Sequence, residues 1–285
     1  MGFLAGQGER RLPTEFAPRV RAAANGKASV APARDSATVV LLRDGEQGLE
    51  AYLLRRVTSM AFAAGMHVFP GGTVDPRDET LPPSAWAGPP APDWARTLTA
   101  TPARARAMVC AAVRETFEET GVLLAGPSAA ELADVSGAGW ERDRRALLDR
   151  SDSLAAILAR RRLRLRADLL RPWAHWITPE IEPRRYDTRF FVAAMPAGQR
   201  TRHVGGEADA VAWWRPDQAL AASASGAVQL LPPTAITLAE LSGYPTVAAV
   251  LAGADARDVR PVLPRIVLDG EQAVVLLPGE PGYDE

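Results

Sequence analysis

The stretch Arg114-Glu115-Thr116-Phe117-Glu118-Glu119-Thr120-Gly121-Val122 is the chain's densest set of side chains able to do chemistry. On a helix, residues three and four apart are surface neighbours, so Glu115, Glu118 and Glu119 project from adjacent turns toward one point. Like charges at that spacing repel by roughly 0.2–0.5 kcal/mol per pair, so the cluster calls for a compensating cation. Hard carboxylate oxygens select Mg²⁺ or Mn²⁺ over metals that prefer soft ligands. Arg114, four residues before Glu118, is placed to hold that carboxylate, and Gly121 is placed to stop the helix. The same residues also suit a solvated acidic face, because Glu and Arg are good helix formers.

Upstream, His67-Val68-Phe69-Pro70-Gly71-Gly72 runs an apolar strand into paired glycines, which allow a sharp bend and a close approach to a ligand. Phe-Pro-Gly-Gly followed by Arg-Glu-x-x-Glu-Glu-x-Gly-Val resembles the signature of the Nudix hydrolases, which cleave diphosphates linked to a second moiety. The chain departs from that signature twice. Asp78 stands where the family has a glutamate, and 35 residues, not seven, separate Asp78 from Arg114. The inserted stretch, about 79–106, is rich in proline and alanine and reads as an irregular excursion, after which Thr101-Pro102 looks like a helix N-cap with proline at the first helical position.

An insertion at this place is similar to that of the peroxisomal-type coenzyme A diphosphatase branch of the family. The similarity extends to Leu53-Leu54-Arg55-Arg56, to Trp173-Ala174-His175-Trp176-Ile177-Thr178-Pro179, to Arg184-Arg185-Tyr186-Asp187-Thr188-Arg189-Phe190-Phe191 and to Leu230-Leu231-Pro232-Pro233. The branch's coenzyme A motif is not matched in full: Ala61 replaces an expected arginine and Val57 an expected small residue. The resemblance implies an α/β fold, a Nudix-type α/β/α sandwich with a mixed central sheet and extra helices. It also implies metal-dependent hydrolysis of a diphosphate bond. The best candidate substrate is coenzyme A or acyl-coenzyme A, giving 3′,5′-ADP and phosphopantetheine or its acyl form. ADP-ribose, a dinucleotide or a nucleoside triphosphate is the alternative substrate, and a non-catalytic nucleotide sensor the alternative class.

In that reading Glu115, Glu118, Glu119 and the Gly71 carbonyl hold Mg²⁺ or Mn²⁺, and Arg114 belongs to the catalytic set. The base is Glu207, in the glycine loop Gly205-Gly206-Glu207, or Glu119 acting through a bound water; an exposed loop glutamate without a role is the plain reading of Glu207. Arg184 and Arg185 are candidates for substrate phosphate, since a guanidinium fork matches phosphate oxygens, and Arg56 joins them. Trp173 and Trp176 suit either an adenine stack or the core.

These residues need a scaffold. Residues 36–42 and 49–54 alternate as a hairpin about Arg43-Asp44-Gly45, and further strands fit 66–69, 173–178, 186–193 and 210–214. A helix is expected after Pro216, and residues 265–268 and 273–277 flank Asp269-Gly270 as a second hairpin. The expected organisation is an N-terminal arm over 1–34, partly disordered, then one Nudix domain over 35–285. That domain contains the 79–106 insertion, a helical segment over 128–170 and a C-terminal hairpin over 260–280. The segment 141–171 carries ten arginines against five acids, which could attract a polyanion, although a solvated face of helices is the favoured reading.

A net charge of −1 offers no electrostatic case for nucleic acid as a partner. The single cysteine, Cys110, excludes an internal disulfide and fits a buried position in a reducing cytoplasm. No apolar run is long enough for a membrane span. The resemblance implies a small nucleotide diphosphate as partner, with a homodimer left open.

Overall fold

The computed structural model describes residues 16–24, 29–57, 63–202 and 208–284. In chain order its elements are α1 (Phe16–Ala24), β1 (Ala33–Gly45), β2 (Gly48–Arg56), β3 (His67–Val68), β4 (Gly71–Thr73), β5 (Trp86–Ala87), α2 (Ala91–Leu98), α3 (Pro102–Thr120) and β6 (Ala125–Gly126). There follow α4 (Ala138–Leu148), α5 (Leu154–Arg161), β7 (Arg164–Arg166), β8 (Arg171–Ile177), β9 (Arg185–Ala194) and β10 (Ala208–Trp214). The chain continues through α6 (Pro216–Ala224), α7 (Pro232–Leu241), α8 (Val247–Asp255), β11 (Pro261–Val262), β12 (Arg265–Asp269) and β13 (Gln272–Leu276). Two compact units share them: a larger one of Ser36–Ala174 and Arg189–Val259, and a smaller one of Met1–Asp35, His175–Thr188 and Arg260–Glu285.

The larger unit is built on strands in the order β10-β2-β1-β9-β8, with β3 added to β2 and β4 to β1. Successive side chains of a strand point to opposite faces, and β1 is apolar on both. Val39 and Leu41 join Met108, Val109 and Phe117 of α3 in the main core. Val40 and Leu42, pointing the other way, are fully buried too, and α6 packs against the neighbouring strand β2. A mixed sheet covered on both faces is the layered α/β arrangement that the resemblance implies.

The first hairpin turns two residues later than its sequence suggests. Arg43 sits opposite Glu50 and donates to it at 2.7 Å, which carries the ladder through Gly45↔Gly48. Gly48, at φ +121°, supplies the conformation that the later turn needs.

The insertion is not an irregular excursion. It forms 3₁₀ turns at Pro76–Thr80 and Pro83–Ala85, then β5 and α2, and it buries Leu81, Trp86, Trp94 and Leu98. Trp94 meets Phe191 of β9 edge to face, with ring centroids 5.9 Å apart. Prolines placed at the first positions of these short helices start them without breaking them. Residues 128–170 are likewise only partly helical. Arg162 takes a left-handed conformation at φ +57° that ends α5. Leu165 of β7 then pairs between Trp86 and Ala125 in a three-stranded sheet, a tertiary partnership that local periodicity does not announce.

In the smaller unit, the hairpin β12–β13 turns at Asp269–Gln272 and α1 packs on it, burying Ala17, Val20, Ala273 and Val275. β11 pairs in parallel with β8 through Pro261↔His175. Trp173, in the larger unit, donates to Glu240 at 2.9 Å and has the Arg257 guanidinium 4.3 Å from its ring centre. Trp176 is buried as well, so both tryptophans are used by the core and neither offers an open stacking face. Among the described residues no helix is long and apolar enough to cross a membrane.

Candidate active site

Helix α3 is defined by its ends. Thr101 accepts from the Arg104 amide at 3.3 Å, Pro102 occupies the first turn, and Gly121 closes the helix at φ +72°. Its apolar stripe from Ala105 to Phe117 is fully buried against the sheet. That burial fixes the rotation of the helix and leaves Glu115, Glu118 and Glu119 half-buried along one side.

The glycine turn meets the same side. β4 pairs antiparallel with β1 in the register Ala37↔Gly72 and Thr38↔Gly71. The Gly71 amide donates to Glu119 Oε2 at 2.7 Å. A Cβ at Gly71 would strike the Ala37 carbonyl, and one at Gly72 would force the Glu115 carboxylate to shift.

Arg114 ties this surface together. Its Nη1 donates to Glu115 Oε1 at 2.8 Å and to Glu118 Oε1 at 3.1 Å, and its Nη2 to the Thr73 carbonyl at 2.8 Å. Its Nε and Nη2 also form a fork on Asp78 Oδ1 and Oδ2, at 2.9 and 3.0 Å. Burial by itself would lower the Arg114 pKa, but Glu115, Asp78 and Glu118 outweigh it and hold the guanidinium above its ordinary value. Asp78 is 2% exposed and also accepts from the Asp75 amide at 2.8 Å in a capping box. The shorter carboxylate at this position therefore keeps a full set of partners.

Burial pushes the Glu115 carboxyl up to about 7 against the pull of Arg114, and Glu118 adds to the rise. The three glutamates do not form one cage. Glu115 and Glu118 share Arg114 Nη1, Glu119 turns to the Gly71 amide, and no group of three His, Cys, Asp or Glu is set to hold a metal among the described residues.

Other expected positions fall as follows. Arg56 ends β2 half-buried, its amide donating to the Met66 carbonyl at 2.9 Å. Arg184 and Arg185 lie in the smaller unit; Arg184 is exposed, whereas Arg185 is buried and donates to the Thr178 and Ala31 carbonyls at 3.0 and 2.9 Å. Glu207 lies outside the described residues. Cys110 is fully buried, and burial pushes its thiol pKa well up, which removes it as a nucleophile. Much of the basic segment is absorbed by ion pairs, Arg160 and Arg161 on Asp143, Arg166 on Asp168 and Arg171 on Asp255. Sequence reasoning passed over Arg144, Gln199 and Arg202. Arg144 holds the Glu118 carbonyl at 2.8 Å, Gln199 accepts from the Leu123 amide at 2.9 Å, and the Arg202 amide donates to the Thr120 carbonyl at 2.8 Å. These three secure the end of the glutamate helix, and no local pattern marks them.

A model of the NUDT19 Nudix domain family matches residues 20–241. The chain belongs to this Nudix family. Acyl-coenzyme A diphosphatase NUDT19 of Homo sapiens is 28% identical to this Nudix chain over 283 residues, 84% of this chain and 73% of the human one. The protein of the same name from Gallus gallus is 28% identical over 281 residues, 83% of this chain and 73% of that one. Among solved structures, a Nudix hydrolase from Alicyclobacillus acidocaldarius superposes with a TM-score of 0.67 at 28% identity, covering 79% of this chain and 97% of that one. The present chain is a Nudix-type hydrolase acting on a phosphorus anhydride, with the glutamate helix, the glycine turn and the arginine lock brought together in one unit.

Proposed function

We propose that this Nudix hydrolase cleaves the diphosphate of coenzyme A or acyl-coenzyme A, releasing 3′,5′-ADP and phosphopantetheine or its acyl form. The observation that carries the reading is the placing of Glu115 and Glu118 on Arg114 and of Glu119 on the Gly71 amide, beside the Gly71–Gly72 turn. The choice of substrate rests on the relatives that carry the name acyl-coenzyme A diphosphatase.

Nudix hydrolases generally use divalent cations, and the residues here suit one. Glu115, Glu118 and Asp78 crowd a single guanidinium, and burial disfavours the charge on Glu115, so the site carries more acid than Arg114 alone relieves. Glu115, Glu118, Glu119 and the Gly71 carbonyl are the groups that would hold Mg²⁺ or Mn²⁺. When bound, the cation neutralises charge on the phosphoryl oxygens.

The chain's own part in the chemistry is positioning and proton transfer. A water oxygen forms a bond to one phosphorus, the bridging P–O bond breaks, and the water proton passes to a carboxylate. Glu119, held by the Gly71 amide, and Glu207 are the two candidate acceptors. Arg114 acts by aiming Glu115 and Glu118 and by anchoring them to Asp78. Arg56 is proposed to meet a substrate phosphate; Arg184 and Arg185, in the smaller unit, are separate phosphate candidates, Arg185 being already bonded to two carbonyls. The lone buried cysteine suits a reducing compartment, and we propose the cytoplasm.

The test is a substrate panel of coenzyme A, an acyl-coenzyme A, ADP-ribose, a dinucleotide and a nucleoside triphosphate, each with Mg²⁺ or Mn²⁺, with products separated by chromatography. The expected result is 3′,5′-ADP from the two coenzyme A substrates at the highest kcat/KM, and none after chelation. Faster cleavage of ADP-ribose would overturn the substrate, and binding without turnover of any member would make the chain a sensor.

A further inference from the structure

The smaller unit holds a cavity of about 350 Å³, walled by the segment that enters β1 and the segment that enters β9. Arg34, Arg184 and Arg185 line it together with Tyr186 and the rings of Pro32 and Pro183. All of them belong to that one unit.

Specific bonds hold the walls. The Thr178 amide donates to the Tyr186 carbonyl at 2.9 Å and the Tyr186 amide to Thr178 Oγ1 at 3.0 Å, which closes the turn between β8 and β9. Arg185, 9% exposed, uses Nε for the Thr178 carbonyl and Nη1 for the Ala31 carbonyl, and so ties that turn to the segment before β1. Its Nη2 makes no hydrogen bond among the described residues and is left for a ligand. Arg34 and Arg184 are exposed and likewise have no hydrogen-bond partner there.

Three guanidinium groups thus border one space with no acid among the residues that line it. Among the described residues no carboxylate pairs with Arg34, Arg184 or Arg185, whereas Arg160, Arg161 and Arg166 of the basic segment all have one. The acids of the same turn and strand are engaged elsewhere, Glu182 with Arg19 at 3.7 Å and Asp187 with His175 at 2.6 Å. Like charges around a cavity repel, and an anion seated between them offsets the repulsion.

We infer that this cavity binds a nucleoside monophosphate, its phosphate between the three arginines and its base against the Tyr186 ring. A phosphate monoester carries nearly two negative charges at neutral pH and offers three acceptor oxygens, which a guanidinium matches in geometry and charge. The volume lies at the lower end of the roughly 300–1,000 Å³ of small-molecule sites and exceeds what inorganic phosphate alone fills. Tyr186, half-buried, and the two proline rings give the base an apolar wall. The inference gives Arg184 and Arg185 a ligand of their own. It rests neither on coenzyme A as substrate nor on the glutamate helix, which belongs to the larger unit.

The experiment is calorimetric titration of the full chain in chelator with AMP, inorganic phosphate and adenosine, repeated on Arg34→Gln and Arg184→Gln. Both side chains are exposed and unpartnered, so neither change removes a contact the fold uses. The expected result is saturable AMP binding, weakened about tenfold in each variant, with phosphate and adenosine both binding at least about tenfold more weakly than AMP. A crystal grown with AMP and chelator should place the phosphate within hydrogen-bond reach of Arg185 Nη2. AMP affinity unchanged in both variants, or AMP found only beside the glutamate helix, overturns the site, as does no binding at millimolar AMP. Inorganic phosphate binding as tightly as AMP overturns the nucleoside part. No turnover is read in chelator, so a failure of the proposed hydrolysis and a failure of this inference are told apart.

Discussion

Asp78 and Arg114, 36 residues apart, meet as a two-pronged pair with both nitrogen–oxygen distances at or below 3.0 Å and the side chains only 2% and 10% exposed. The insertion thus returns its first acidic residue to the start of the glutamate cluster. Asp78→Ala leaves Arg114 buried without its fork, and breaking a buried pair of this kind costs about 3–5 kcal/mol. Urea unfolding measures it; a loss below about 1 kcal/mol, the range of exposed pairs, sinks the claim.

Glu115 predicts a pH dependence for the metal-free chain. Its folded pKa of about 7 lies above the ordinary 4.5, so the folded state holds the proton more tightly than the unfolded one. The stability from this group is therefore complete below pH 4.5 and is lost as the pH rises through 7. Chelated protein should lose stability across that window, and Glu115→Gln should flatten the loss. Equal slopes for the two chains, by chemical denaturation at several pH values, would contradict it.

Gly72→Ala drives a methyl into the Glu115 carboxylate, whereas the strand register around it needs no left-handed backbone. Turnover should fall by at least an order of magnitude while far-ultraviolet circular dichroism stays native. Full activity in the alanine variant argues that the glycine does not hold its place for Glu115.

Glu119 is tested by Glu119→Gln, which keeps a hydrogen-bond acceptor for the Gly71 amide while removing the base and the charge. Loss of a general base lowers kcat by roughly 10²–10⁴-fold. Loss within that range, with KM for substrate little changed, supports its place in the chemistry; unchanged kcat would assign the proton to another group.

Trp94, 4% exposed and packed on Phe191, makes the insertion part of the core. Trp94→Ala should cost about 3–5 kcal/mol. A near-neutral melt would return the segment to the status of a removable loop.

The sequence alone determined what acts over one or two turns. Thr101-Pro102 and Gly121 set the ends of α3, a spacing of three and four puts its glutamates on one side, and alternating apolar residues mark β1, β2, β9 and β10. Each depends on neighbours a few residues away, so spacing is enough to read it. Tertiary structure decided which partners those elements meet. Spacing gathers the three glutamates at one point, yet folding divides them between Arg114 and the Gly71 amide. Composition makes the insertion a loop and residues 128–170 a helix, yet Trp94 finds Phe191 and Leu165 finds Trp86 and Ala125. Arg144 and Arg202 carry no signal until the chain brings them, 58 residues apart, to the same helix end. Such pairings are selected by burial of complementary faces far apart along the chain, and local propensity holds no record of that choice.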